Sequence, residues 1–216
     1  LSMGESMEIT ARDFDVSRER QDQLALSSHL KAAAAYDAGF FDDMVIPFKG
    51  AEEDNNIRRD TSFERLQKLK PVFDTKSGKG TMTAGNSTPL TDGAAAVLLA
   101  AEEWARLKNL PITAYLTHAK VAAINFVDHE GLLMAPAYAV SEMLREANLG
   151  LQDFDFYEIH EAFAAQTIAT LMAWQSEKFC RERLGRQQPL GSIDPARLNV
   201  KGGSLAIGHP FAATGA

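Results

Sequence analysis

The chain has 216 residues, 45% of them hydrophobic and 24% charged, which is enough apolar material for the core of one or two domains. A formal net charge of −7 argues against a general nucleic-acid or membrane-surface role, and a single cysteine excludes an internal disulfide framework and fits a reducing compartment. No apolar run approaches membrane-spanning length, and the first residues are not expected to act as a signal peptide.

Residues 5–14 are predicted to form a short helix, and Ser17 to cap a longer one. Leu24, Leu26, Leu30, Ala33 and Ala34 roughly follow a helical stripe, and Gly39 is placed as the terminator. Residues 40–47 are mixed, and residues 50–56 read as an acidic turn. Residues 58–79 hold seven Lys/Arg against three acids inside an acidic protein. An anionic ligand or an ordinary solvated face explains such a stretch.

Residues 78–91 are expected to be a polar loop, and residues 92–107, rich in alanine and opened by Asp92, a helix. Residues 112–126 are read as one or two strands and residues 131–136 as a turn. Pro136 should open a helix that runs to Asn148, with Gly150 as terminator. A strand over residues 153–159 should lead into a turn at His160, followed by the longest helix, residues 161–184. Cys180 falls well inside that helix, where no glycine turn exposes a thiol, so a structural role is expected despite the neighbouring Lys178 and Arg181. Residues 187–197 form a loop. No Gly-Lys-Ser/Thr phosphate loop or low-complexity segment is present. Alternating helices and strands point to an α/β class with crossover connections.

The most distinctive stretch is residues 199–216. Gly202, Gly203 and Gly208 allow backbone conformations that a side chain forbids. Between them, Leu205, Ala206 and Ile207 are read as a buried extended segment. His209 precedes Pro210, which suits the first turn of a small-residue helix over residues 211–215. A histidine beside a helix N-terminus is expected to stay neutral and to serve as base or donor near pH 7. The competing reading is a histidine that merely satisfies a buried turn.

The spacing Asn199, Gly202, Gly203, Ala206, Gly208, His209, Pro210 resembles the Asn-x-x-Gly-Gly-x-x-Ala-x-Gly-His-Pro signature of thiolases. His160, Glu161, Ala162, Phe163 and Ala164 resemble the family's Asn-Glu-Ala-Phe-Ala motif, with histidine where many members carry asparagine. Residues 83–96, residues 58–73 with Leu-x-Lys-Leu-Lys-Pro at their centre, and the opening Met3, Gly4 and Glu5 match in the family's order. The histidine variant resembles the β-subunit thiolases of the fatty-acid β-oxidation complex.

The resemblance implies a thiolase-like fold of two similar α/β halves with an inserted helical and irregular loop domain. Residues 1–86 would be the CoA-covering loop domain, residues 87–116 the end of the N-terminal half, and residues 117–216 a truncated C-terminal half. It implies a fragment that begins after the nucleophilic cysteine, stops before the second catalytic cysteine, and is inactive alone. The implied reaction cleaves a 3-ketoacyl-CoA with CoA into acetyl-CoA and a shortened acyl-CoA. His209 would activate the cysteine and donate to the thioester oxygen, and His160 would donate toward the same oxygen. Arg58 would lie near the CoA nucleotide and Thr88 beside the pantetheine arm, with Pro89 replacing a glycine there. Met3 and Phe163 would line the acyl/pantetheine pocket, core packing being the alternative for each. Glu161 is either support for His160 or a first-turn glutamate that favours the helix dipole. No metal and no tightly bound cofactor are implied; CoA and acyl-CoA are substrates. A homo-oligomer is implied, and also a hydratase–dehydrogenase α-subunit as partner, in the bacterial cytoplasm or a mitochondrion. The alternatives are a non-catalytic CoA- or lipid-binding protein of the same fold, or an assembly subunit.

Overall fold

In the computed structural model, residues 1–127 and 131–216 are described. Ser2 and Glu5 close a reciprocal capping box at the start of α1 (Met3–Asp13), satisfying two of the free N–H groups of the first turn. Ser17 caps α2 (Arg18–Asp37) by accepting from the Arg20 N–H, and Gly39 follows its end with φ of +69°. After α3 (Phe63–Gln67) and α4 (Glu102–Leu107), Pro136 in the first turn opens α5 (Ala135–Ala147), which ends on Asn148 in the left-handed region.

The expected long helix is two helices. α6 (Ala164–Gln175) stops at Ser176, whose extended backbone breaks the ladder and whose hydroxyl caps α7 (Glu177–Glu182) by accepting from the Phe179 N–H. α6 is buried on nearly every side, as expected for a central helix, and packs against α1, α2, α5 and α7. Around it lie the fully buried Met7, Met82, Met134 and Leu144, each contributing about 1.5–3 kcal/mol by burial.

The predicted stripe of α2 is buried only in part: Ala33 is inside and Leu24 and Leu26 pack partly against the core, but Ala34 faces solvent. Leu30 is half exposed, whereas Gln21, Asp22, Ala25, Ser28, His29 and Ala32 are buried. The polar members of that face hold distant segments. Asp22 pairs with Arg18 at 2.7 Å and accepts from Asn86 Nδ2 at 3.0 Å. Glu8 on α1 accepts from the backbone N–H groups of Thr81 and Met82. Together they anchor the loop that leads to Thr88.

The expected α/β alternation is not reproduced within this chain. Among the described residues no strand forms, and pairing is limited to isolated bridges such as Tyr157 with Leu198 and Leu90 with His209. Residues 112–126 are irregular, and the helix expected over residues 92–107 is reduced to α4. The physical reason is the same for both. Val97, Leu98, Leu99, Leu116 and Val121 are all more than 60% exposed, so neither segment has a packing surface or a neighbouring backbone to pair with. Strands need that pairing, and short helices take most of their stability from tertiary packing.

Candidate active site

The two motif histidines come together where three segments meet. Their ring centroids lie 4.3 Å apart with planes tilted by 37°. His209 is placed by residues 89–91: its N–H donates to the Pro89 carbonyl at 2.9 Å, and its carbonyl accepts from the Thr91 N–H. Gly208 precedes it with φ of +97°, which suits glycine. The segment before it is α8 (Ser204–Ile207), a single helical turn rather than the expected extended run. Just before it, Gly202 lies so close to α2 that a side chain would meet Ala32 and the Ser28 carbonyl, and a side chain at Gly203 would meet Glu161 and Asn199. Beyond Pro210, residues Phe211–Gly215 form a 3-10 turn, tighter than the expected helix. There Thr214 Oγ1 meets His209 Nδ1 at 2.6 Å.

His160 is placed by Asn199, itself at a positive φ of 44°. The Asn199 side chain copies a backbone pairing: Oδ1 accepts from the Ile159 N–H at 2.8 Å, and Nδ2 donates to the Ile159 carbonyl at 2.9 Å. His160 lies at the surface, yet loss of hydration around its ring, with the His209 charge second, lowers its pKa and favours the neutral ring. Its Nδ1 lies 2.8 Å from Ser204 Oγ, which accepts the Glu161 N–H at 2.9 Å.

Glu161 precedes α6, which starts at Ala164, so it is not a first-turn helix residue; nor does its carboxylate touch His160. It is buried and braces the glycine turn instead. It accepts from Ser28 Oγ at 2.7 Å, Asn199 Nδ2 at 2.7 Å and the Leu205 N–H at 3.2 Å. Burial raises its pKa, and the hydrogen bonds from Asn199, Ser28 and Leu205 pull in the opposite direction.

Of the other motif residues, Thr88 and Phe163 lie in this junction. The Thr88 N–H donates to the Ala162 carbonyl, and its hydroxyl donates to the Ser204 carbonyl at 2.6 Å. That hydroxyl is therefore committed as a donor inside the chain and keeps only acceptor capacity for a ligand. Phe163 is buried with its ring 5.7 Å from Phe73 in an edge-on contact. Met3 is half exposed at the start of α1, next to Gly4, which abuts Phe73. Arg58 is set apart: its N–H donates to His29 Nδ1 on α2, and its side chain is exposed. In the basic stretch around it, Arg59 pairs with Asp37 and Glu53, and Arg65 with Asp60.

Cys180 is fully buried, its Sγ within 3.5 Å of the Ala173 and Trp174 carbonyls. A cleft of about 240 Å³ opens between α2 and residues 195–199, but neither histidine lines it. Its Lys31 is already bonded to the Pro195 and Leu198 carbonyls. Among the described residues, no cluster of three or more His, Cys, Asp or Glu is arranged to hold a metal, and no helix is long and apolar enough to cross a membrane. Ser28, Ser204 and Thr214, which support the site, carried no sequence signal beyond the polarity of their side chains.

This chain belongs to the thiolase family. The thiolase N-terminal domain matches residues 1–103, and the thiolase C-terminal domain matches residues 110–216. It is 46% identical to the 3-ketoacyl-CoA thiolases of Yersinia enterocolitica and Yersinia pestis over its whole length, and it spans about half the length of each. Its fold superposes on the dimeric peroxisomal thiolase of Saccharomyces cerevisiae with a TM-score of 0.82 at 33% identity, covering all of this chain and 50% of that one. A thiolase from Ascaris suum, solved in complex with coenzyme A, gives a TM-score of 0.80 at 33% identity, covering 99% of this chain and 50% of that one.

Proposed function

We propose that this chain is the loop-domain and C-terminal part of a 3-ketoacyl-CoA thiolase, cleaving a 3-ketoacyl-CoA with CoA into acetyl-CoA and a shortened acyl-CoA. The observation that carries this reading is the pair of facing histidines, His160 and His209, each fixed by its own backbone clamp. A pure binding protein has no need of two such groups at one point.

The chemistry needs a thiolate, an acid/base and donors for a developing oxyanion. In this reading the buried Cys180 is structural, and the nucleophilic thiol is assigned to a cysteine outside these 216 residues. His209 takes the proton of that thiol. The thiolate attacks the 3-keto carbon, the bond between C2 and C3 breaks, and the acyl group stays on sulfur. The departing acetyl-CoA enolate takes a proton from the second catalytic cysteine, likewise assigned outside these residues, and leaves; that cysteine regains its proton from the incoming CoA thiol. CoA then attacks the thioester carbonyl and carries the shortened acyl group away, with the thiol restored. His160 supplies an N–H to the oxygen that bears charge. Arg58 and Thr88 are assigned to the CoA nucleotide and the pantetheine arm, and Met3 to the pocket mouth. A homodimer and a hydratase–dehydrogenase partner belong to the same proposal.

The test is thiolysis of acetoacetyl-CoA and a longer 3-ketoacyl-CoA by the full-length protein and its histidine variants. His209→Ala should lower kcat by at least about a thousandfold, and His160→Ala by about a hundredfold. His160→Asn should be the mildest of the three. CoA binding without turnover in the wild type would support the non-catalytic reading instead. Near-normal kcat with a raised KM in His209→Ala would make His209 a binding residue.

A further inference from the structure

Ser204 Oγ has two neighbours: the Glu161 N–H at 2.9 Å and His160 Nδ1 at 2.8 Å. The backbone N–H can only donate, so it occupies one lone pair of the hydroxyl. Ser204 is 5% exposed, which leaves its proton little access to solvent. Among the described residues, His160 Nδ1 is the one acceptor placed to receive that proton.

We infer that Ser204 is a positioning residue that holds His160 as the tautomer protonated on Nε2. The inference rests on the thiolase reading for its catalytic meaning, though not for its geometry. The opposite tautomer would carry its proton on Nδ1 and donate it to Ser204. The serine hydroxyl would then be buried without an acceptor, a penalty that biases the two forms by about tenfold or more. With Nδ1 occupied as an acceptor, His160 has a single N–H to offer, on the far side of the ring. A ring locked in this way is a donor and not a base. That matches what an asparagine amide supplies at the same point, and it leaves proton transfer to His209. The hydroxyl is held in turn by the Glu161 backbone, so the bias is built into the turn that carries both residues.

Neutron diffraction of the full-length protein, exchanged into heavy water, reads this directly. The expected density shows deuterium on His160 Nε2, none on Nδ1, and the Ser204 O–D pointing at Nδ1. Deuterium on Nδ1 would overturn the inference. A kinetic cycle separates positioning from structure. Ser204→Ala should lower kcat about tenfold in the His160 protein and cost less than about threefold in the His160→Asn background, where no tautomer has to be chosen. Equal losses in both backgrounds would reduce Ser204 to a structural residue and overturn its role. If the protein catalyses no thiolysis, the proposed function falls, whereas the diffraction result still decides the tautomer.

Discussion

Replacing Glu161 with glutamine exchanges one carboxylate oxygen for an amide donor at a point surrounded by donors. Asn199 Nδ2 faces one oxygen at 2.7 Å, while Ser28 Oγ and the Leu205 N–H face the other. Ser28 can turn its hydroxyl toward the Gly203 carbonyl, 3.3 Å away. Asn199 cannot turn, because both ends of its amide are bonded to Ile159, and the Leu205 N–H is fixed by the backbone. Either orientation of the new amide therefore sets its NH₂ against a donor that cannot move. One buried, unsatisfied N–H costs about 1–3 kcal/mol. Relief of the desolvated carboxylate offsets part of this, so a net loss of about 1 kcal/mol is expected, or about 2–4 °C in Tm for a domain of this size. The assay is thermal unfolding of the full-length protein and the variant, with amide exchange at Leu205 as the local readout. Unchanged Tm together with unchanged Leu205 protection would show that the carboxylate does not accept from these groups.

Gly203→Ala should also destabilise, by about 1–3 kcal/mol, because the new methyl would overlap the Glu161 carboxylate and lie 2.8 Å from Asn199 Nδ2; a urea midpoint equal to wild type would contradict this packing. His29 is buried, and its desolvation, with the Arg58 charge second, lowers its pKa from the ordinary 6.5. Below 6.5 the unfolded chain takes up a proton that the folded one resists, so stability should fall as pH drops through that window. The fall should be shallower in His29→Gln when urea midpoints at neutral and mildly acidic pH are compared, and equal slopes would exclude His29. Cys180 should stay unlabelled by a soluble thiol reagent until the protein is unfolded; labelling of the native protein within minutes would show that the core opens there.

Local signals in the sequence located what local physics decides. Ser17 as a cap, Pro136 in a first turn and the end of α5 near Asn148 all follow from neighbours a few residues apart. The expectations that failed needed information from further away. The alanine-rich residues 92–101 and the apolar residues 112–126 have the composition of regular structure, but composition supplies no partner to pack against. The buried face of α2 was hidden because it is polar: Asp22 and Ser28 are inside for the hydrogen bonds they make, not for hydrophobicity. The two motifs were legible as a candidate site, and the chain brings His160 and His209 within ring contact. Their supports were not. Glu161 reaches Ser28 across 133 positions, and Ser204 reaches His160 across 44, with no periodicity to announce either.

The bond between Ser28 and Glu161 also bears on how this chain can be recombined. Ser28 sits in a helix of the N-terminal segment, yet its hydroxyl completes the turn that carries the second motif: it donates to Glu161 and accepts the Gly203 N–H at 2.9 Å. Gly202 leaves room for Ala32 one turn further along the same helix. A chimaera that takes residues 1–86 from one relative and the remainder from another would cut between these partners. Such a graft should keep its histidines in register only when the incoming helix has a small hydroxyl residue at 28 and alanine or glycine at 32. Compatibility of exchanged segments is thus written in two positions of a helix that, among the described residues, makes no hydrogen bond to either histidine.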